Sequence, residues 1–369
     1  MIEALRPDRY AALRPLFAPM DQHLAALAVL ENRAPGSVFV DQPDEPEAAM
    51  VVTGRRFYLA GSPGISRFNQ QLRKHFITHI YPQAVEAGQS AFTLYYPDTH
   101  WEPAIAFMLQ GKYPIQDGRL YYEMRDPAPD WRGRVPPGFE IRQLDASLLQ
   151  ESGLGNYDHL LEEMQSESPS IEHFLKHCFG FCVVGEGAIA AWCLSEYNLN
   201  GRCEVGIETM QPYRRRGFAT LTACALIEHA RSRGIERIGW HCWSSNTASR
   251  ATAERVGFSR VGEYPAFFAW FNAAINLAVN GNMRFAQADY QGAAEWYERA
   301  LQAGGDQAWI FWNAACANAR LGAHQVALQR LQEAFKHGFD DRERLQASEH
   351  LENLRALPGW KTLLEQLDN

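Results

Sequence analysis

The sequence lacks several features that would assign it to common classes of protein. No apolar run approaches the ~20 residues of a membrane span, and the first 16 residues are interrupted by prolines and arginines where a signal peptide would have its apolar core. We therefore expect a cytoplasmic protein with neither a membrane nor a nucleic acid as its partner. The seven cysteines include no Cys-x-x-Cys pair, which agrees with a reducing compartment and predicts no metal site.

Glycine-rich phosphate loops are also missing. A Rossmann fingerprint needs three glycines at fixed offsets and a Walker loop ends in Gly-Lys-Ser or Gly-Lys-Thr, whereas Arg214 to Ala219 has one glycine and three arginines. This segment follows a predicted strand, Cys203 to Thr209, and leads into a helical pattern that continues to Arg233. The first N–H groups of a helix have no intrahelical partner, so this order of elements builds an anion cradle. We expect a pyrophosphate as its ligand.

Length and composition are those of a globular protein with more than one domain. The chain has 369 residues, of which 46% are hydrophobic and 21% charged. The net charge of −8 is unevenly distributed. Residues 145–200 contain nine acidic residues and one lysine, a local charge of −8, and residues 201–260 contain ten arginines and five glutamates, a local charge of +5. The acidic segment could therefore bind a cationic amine and the basic segment a polyphosphate. Alternatively, the acidic residues form only a solvated face.

A family resemblance gives the basic loop a specific meaning. The spacing of Arg214, Gly217 and Ala219 after a strand resembles the acyl-CoA signature of the GNAT N-acetyltransferase superfamily. Asn246, a short helix and Gly257-Phe258 resemble the second half of the same cofactor site, where two strands splay apart to admit pantetheine. The alternative is an ordinary strand-helix unit with a solvated arginine run. The resemblance implies acetyl-CoA as the cofactor, with contacts from Ile207, Thr209, Arg214, Arg215, Arg216, Gly217, Phe218, Ala219, Thr220 and Asn246.

The resemblance also implies the fold class. We expect an α+β GNAT fold, with a mixed central sheet flanked by helices, as the catalytic domain over residues 139–270. Residues 1–125 resemble the N-terminal half of zwittermicin-resistance-type acetyltransferases, as a degenerate GNAT-like α/β half without the cofactor motif. The proline-rich segment 126–138 is predicted to be a linker.

An internal repeat follows in the alanine-rich residues 271–369. Ala293, Tyr297 and Ala300 recur 34 positions later as Ala327, Leu331 and Ala334, a period that resembles the tetratricopeptide repeat. We expect an all-α helical repeat domain, closed by capping segments at Asp341 to Leu354 and Trp360 to Leu367. Such a domain could bind a protein partner or mediate homodimerisation.

Acetyl transfer needs a neutral amine, a polarised thioester carbonyl and a proton for the thiolate. The resemblance assigns the contact with the carbonyl to the N–H of Thr209. Strand parity selects Glu204 and Glu208 as candidate bases on one face of the strand. Burial beside an apolar cleft would raise the pKa of such a carboxylate. Alternatively, one or both glutamates pair with arginine, and His241 is a further candidate for the base.

The proton donor is less clearly indicated. The tyrosine that serves as the acid in many relatives is replaced by Ala253, so Ser249, Tyr264 or solvent would have to protonate the thiolate.

These features support two classes of function. The first is an acetyl-CoA-dependent N-acetyltransferase that acts on a primary amine of a cationic small molecule, including an amine-bearing antibiotic in self-resistance. The second is a non-catalytic scaffold that senses acyl-CoA and recruits partners through the repeats. Acetylation of a protein or peptide guided by the repeats is an enzymatic variant of the second.

Overall fold

A computed structural model describes residues 2–151 and 153–366 of the chain. They form two compact units. The first contains the chain up to His75, Thr93–Met108 and Gln116–Phe267, and the second contains Phe76–Phe92, Leu109–Ile115 and the chain from Phe268 onward. Within the described ranges, none of the helices is both long and apolar enough to cross a membrane.

The strands form one mixed sheet. In chain order they are β1 Glu3–Ala4, β2 Ser37–Val40, β3 Ala48–Thr53, β4 Arg56–Gly61, β5 Ala91–Tyr95, β6 Ile115–Met124, β7 Phe139–Gln143, β8 Gly180–Gly185, β9 Ala188–Leu199, β10 Arg202–Thr209, β11 Arg237–Trp243 and β12 Ser259–Trp270. Their order across the sheet is β1-β2-β3-β4-β5-β12-β6-β11-β10-β9-β8-β7. Pairing is antiparallel from β7 to β10 and parallel between β10 and β11.

The two halves of this sheet exchange a strand. β12, from the second half of the chain, lies beside β5, and β6, from the first half, lies between β12 and β11. β6 pairs with β11 from Ile238 opposite Met124 to Trp243 opposite Arg119. The segments that the sequence analysis separated at residues 126–138 therefore share one sheet. The alternation within β6 predicts a strand but does not identify its neighbours.

The α-helices pack on this sheet or form the second unit. They are α1 Leu24–Leu30, α2 Ser66–His75, α3 Tyr81–Glu86, α4 Glu102–Met108, α5 Tyr157–Ser166, α6 Ile171–His177, α7 Phe218–Ser232, α8 Thr247–Val256, α9 Ala273–Ala286, α10 Tyr290–Gln302, α11 Ala308–Arg320, α12 His324–Lys336, α13 Arg342–Ala347 and α14 Pro358–Gln366. The predicted end of the last helix at Leu367 lies outside the described residues. One face of β10 and β11 packs against α7 and α8, and the opposite face carries Glu204 and His241.

Apolar periodicity predicts helices over Tyr10 to Phe17 and Leu144 to Glu151, and both predictions are wrong. The segment before α1 forms 3-10 turns at Pro7–Leu13 and Ala18–Met20, because Pro15 and Pro19 lack the N–H that a continuous α-helix requires. Leu144 to Glu151 contains only a 3-10 turn at Leu148–Gln150. The Asp145 carboxylate accepts a hydrogen bond from the Leu148 N–H at 2.9 Å, a local bond that competes with helix formation.

Two helices of the second unit follow the 34-residue spacing. α10 and α12 begin 34 positions apart, at Tyr290 and His324, and the repeated apolar residues of both helices are buried. Gly281 allows close packing, since a Cβ there would lie 2.6 Å from the Tyr297 ring. The observed region is all-helical as expected, and its identity as a tetratricopeptide repeat stays a prediction.

Asn276 joins two of the chain segments of the second unit, so its replacement is expected to destabilise that unit. Its side chain accepts from the Trp270 N–H at 3.0 Å and donates to the Lys112 carbonyl at 2.7 Å. Asn276→Ala would leave both part-buried groups without this partner, at a cost of about 1–3 kcal/mol. Calorimetric unfolding should show a lower Tm.

Asn280→Ala is the matched control for this substitution. Asn280 donates to the Tyr113 carbonyl at 3.1 Å from a more exposed position, so its replacement should cost less than ~1 kcal/mol. Equal shifts in Tm for the two variants would contradict a joining role for Asn276.

Candidate active site

The site begins where β10 and β11 diverge. The two strands pair in parallel at Arg202–Arg237, Cys203–Ile238 and Glu204–Gly239, and both then continue, to Thr209 and Trp243. The predicted splay is therefore present between them. It opens beside the basic loop because α7 starts shortly after β10 ends.

Backbone amides of β10 point into this splay. The Met210 N–H donates to the Ala190 carbonyl of β9 at 3.0 Å, and amide direction alternates along a strand. The N–H groups of Thr209 and Ile207 consequently point away from β9, toward the diverging β11. This is the direction that a contact with a thioester carbonyl or a pantetheine amide requires.

The basic loop has the geometry of an anion cradle. Gly217 is the N-cap of α7, with φ of 84°, and a Cβ at this position would meet nothing within 4 Å. The first intrahelical bond runs from the Leu221 N–H to the Gly217 carbonyl at 3.2 Å, so the N–H groups of Phe218, Ala219 and Thr220 have no intrahelical acceptor. Open space in front of free amides at a helix N-terminus fits the diphosphate of acetyl-CoA.

The three arginines of the loop have different surroundings. Arg214 donates from Nε to the Thr209 carbonyl at 3.1 Å, which ties the loop to the end of β10. Arg215 has a left-handed backbone, with φ of 63°. The guanidinium of Arg216 lies 4.6 Å from the centroid of the Phe139 ring and 3.3 Å from Glu186. Arg216 is therefore held partly by its own chain, and its charge is shared with an acid.

A cavity of about 210 Å³ continues from the splay. Its lining from the second half of the chain includes all four residues from Trp240 to Trp243, three from Val205 to Ile207, and two from the start of α8, Asn246 and Ser249. The side chain of Asn246 also caps α8, accepting from the Ser249 N–H at 3.0 Å. The predicted residues Ile207, Asn246, Ser249 and Glu204 thus meet at one cavity.

The N-terminal half supplies much of the remaining wall. His23, Arg56, Tyr58, Tyr95 and Arg119 all line the cavity. Local sequence patterns did not indicate these residues, because the N-terminal half carries no cofactor motif. The apolar pattern of β4 to β6 predicts strands in this half, but it does not show that strand exchange places β6 beside β11.

Glu204 is buried but differs from the base that was expected. Its Oε1 accepts from the Leu24 N–H at 2.6 Å and lies 3.6 Å from His241 Nε2. Burial by itself would raise its pKa, but His241, Arg56 and the Leu24 N–H together bring the pKa of Glu204 below its usual value. The expected raised pKa is therefore wrong for Glu204, since its carboxylate is held in the charged form.

Glu196 has the raised pKa that was expected of Glu204. It stands opposite Glu204 on the neighbouring strand, lines the cavity and has a side chain only 11% exposed. Burial, followed by repulsion from Glu167, raises the pKa of Glu196 well above its usual range, and Arg56 at 3.6 Å opposes this shift. Gly206 leaves room for the carboxylate, since a Cβ there would lie 2.1 Å from Glu196 Oε1.

Glu208 is exposed and is not among the residues that line this cavity. It shares the strand face of Glu204, as parity predicted. Its charge contributes to the raised pKa of Glu163, for which burial is the first cause and Glu167 the second. Glu208 thus belongs to the acidic surroundings of the site.

His241 connects Glu204 to a tyrosine. Its Nε2 faces two acceptors, the Gln22 carbonyl at 3.2 Å and Glu204, so this nitrogen carries a proton. The Tyr264 hydroxyl lies 2.7 Å from His241 Nδ1, and burial raises the pKa of Tyr264. Ser249 Oγ accepts from Trp240 Nε1 at 2.9 Å, and Ala253 is buried in the core behind the site.

Comparisons with known proteins agree with this geometry. A family model described as GNAT acetyltransferase matches residues 14–267. An uncharacterised N-acetyltransferase of Bacillus subtilis, YdfB, is 24% identical over 270 residues, which cover 73% of this chain and 99% of that protein. A GCN5-related N-acetyltransferase-like protein from Streptococcus suis superposes with a TM-score of 0.53 at 19% identity, over 71% of this chain and 98% of that one, and shows the same fold. The likeness to the zwittermicin-resistance subgroup stays a prediction.

Proposed function

Because the chain belongs to the GNAT acetyltransferase family, we propose that it transfers the acetyl group of acetyl-CoA to a primary amine of a cationic small molecule bound in the cavity. One observation carries this proposal: the divergence of β10 from β11 opens into a cavity that contains the buried carboxylate of Glu196. Release of free thiol from acetyl-CoA across a panel of amines tests it. Amine-bearing antibiotics belong in that panel on the sequence resemblance.

Acetyl-CoA supplies an activated acyl group, so no covalent enzyme intermediate is required. The N–H groups of Phe218, Ala219 and Thr220 hold its diphosphate, and the Thr209 and Ile207 amides bind along the splay. Asn246 fixes the start of α8 at the rim of the cavity.

Glu196 is the proposed base. A carboxylate with a raised pKa is a stronger proton acceptor near neutral pH than an ordinary glutamate, and the acidic surroundings attract a protonated amine before it is deprotonated. The amine nitrogen then bonds to the acetyl carbon, the C–S bond breaks, and the departing thiolate takes a proton.

Tyr264 is the proposed donor of that proton. Where His241 Nδ1 donates to the tyrosine oxygen, the hydroxyl proton is free for the thiolate. Glu204 lies on the Nε2 side of the same ring. Ser249 is the second candidate, since its hydroxyl also lines the cavity.

Tyr264→Phe is expected to reduce kcat about 100-fold, the lower end of the usual contribution of a general acid, because the ring remains and only the proton donor is removed. Ser249→Ala is the matched comparison and should cost less, since Ser249 Oγ serves mainly as the acceptor for Trp240. Steady-state rates for both variants, with acetyl-CoA affinity measured by calorimetry, check this. A larger loss of kcat in Ser249→Ala would transfer the role to the serine.

A further inference from the structure

The cavity contains an arginine with no acid beside it. Within the described ranges Arg119 forms no ion pair, and its buried Nε has no hydrogen-bond partner. Its guanidinium lies over the rings of Trp243 and Tyr95, at 4.6 and 5.9 Å from their centroids. Arg56 in the same cavity differs, since it pairs with Glu167 and Glu196. The charge of Arg119 is therefore available to a ligand.

A buried imidazole nitrogen without a hydrogen-bond partner lines the same cavity. His23 is 4% exposed, and its Nε2 has no hydrogen-bond partner. The ring is surrounded by Tyr58, Tyr95, Tyr264 and His241, at centroid distances between 4.7 and 5.5 Å. Burial first, then the charges of His241 and Arg119, holds the pKa of His23 well below its usual value, so the imidazole is neutral. A neutral imidazole can donate one hydrogen bond to an anion.

Burying a guanidinium away from water is costly unless an anion compensates its charge. Tyr264, which shares a hydrogen bond with Arg119, supplies no negative charge while it stays protonated. A bound ligand is the remaining source of that charge. We propose that the acceptor amine also carries a carboxylate, which Arg119 and His23 bind while the amine faces Glu196. This inference rests on the proposed acetyl transfer, and it replaces the cationic acceptor with one that carries both an amine and a carboxylate.

The positions of the two charges set the shape of the acceptor. Arg119 belongs to β6 and Glu196 to β9, and β11 and β10 lie between them in the sheet. Neighbouring strands are ~4.8 Å apart, so these backbones are about 14 Å apart across the sheet. Arg119 is level with Trp243 of β11 and Glu196 is level with Gly239, which adds about 13 Å along the strands. Both side chains extend into the cavity from opposite sides, which leaves room for several bonds between amine and carboxylate. An ω-amino acid fits this arrangement better than an α-amino acid.

Three amines of equal length test the inference on the full-length protein: 5-aminopentanoate, pentylamine and 1,5-diaminopentane. Thiol release from acetyl-CoA gives kcat/KM for each. We expect 5-aminopentanoate to exceed pentylamine by about tenfold to a hundredfold, the range for a desolvated charge-assisted contact. In Arg119→Gln the ratio of the two values should fall close to one, and Arg119→Lys should restore part of it. Because each variant is judged by its own ratio of the two kcat/KM values, a substitution that slows the reaction equally for both amines does not change the result.

Two outcomes would overturn the inference and leave the proposed function standing: a preference of the wild-type protein for the diamine, and an unchanged ratio in Arg119→Gln. Acetyl-CoA binding without turnover of any of the three amines would also overturn the inference, and the wider amine panel would then decide the proposed function. Calorimetry with acetyl-CoA alone separates these from failure of the proposed function, for which absence of acetyl-CoA binding would be the sign.

Discussion

Glu196→Gln should lower turnover by about 10²- to 10⁴-fold, the usual contribution of a general base, while acetyl-CoA affinity stays unchanged. Glutamine keeps the shape of the side chain beside Gly206 but cannot accept the proton of the amine. The raised pKa of Glu196 also predicts a pH dependence. At low pH the carboxyl is protonated and inactive, so kcat/KM should rise with pH through a pKa above that of an ordinary glutamate, and this limb should vanish in Glu196→Gln.

Glu208→Gln is the matched control, because it removes a carboxylate from an exposed position on the adjacent strand. It should keep near-normal turnover and the same pH profile. A loss confined to Glu208→Gln would return the role of base to the residue that strand parity first indicated. Glu204→Gln tests a supporting role for Glu204. Because this substitution would disturb His241 and the contact with the Leu24 N–H, it should lower both the stability of the fold and the turnover rate.

Gly217→Trp should raise the Kd for acetyl-CoA by a hundredfold or more, about 2.7 kcal/mol. The space in front of the Gly217 Cα is open, and an indole there would occupy the position of the diphosphate. Every residue other than glycine is also strained at φ of 84°, by about 1–2 kcal/mol. Calorimetric titration with acetyl-CoA gives the affinity, and circular dichroism checks that α7 is intact.

Gly217→Ala carries the same backbone strain without the bulk, and therefore isolates the steric effect. Its affinity should fall by less than about tenfold. If both variants bind acetyl-CoA like the wild type, the assignment of the loop is wrong. If both variants lose acetyl-CoA binding equally, the affinity depends on the backbone conformation of Gly217 and not on the space that a side chain occupies.

Local patterns predicted much of the catalytic half. The alternation of Ile238, Trp240 and Cys242 predicts a strand from Arg237 to Trp243, and β11 has these bounds because the alternation places one face in the core. The loop at Gly217 was also predicted, since a single glycine after a strand and before a helix has a geometry that depends on nearest neighbours. Prolines before α1 and a local carboxylate at Asp145 shortened two predicted helices, because backbone chemistry outweighed apolar periodicity there.

The sequence by itself determined the family signature, the position of the cofactor loop and the strand face on which an acidic base could lie. These depend on residues close together in the chain. Only the tertiary structure decided which glutamate is buried beside another acid, and that His23, Arg56 and Arg119 line the same cavity. Strand exchange between the halves joins residues more than a hundred positions apart. A pKa depends on all the charges and the burial around a group in space, so no pattern along the chain could separate Glu196 from Glu204.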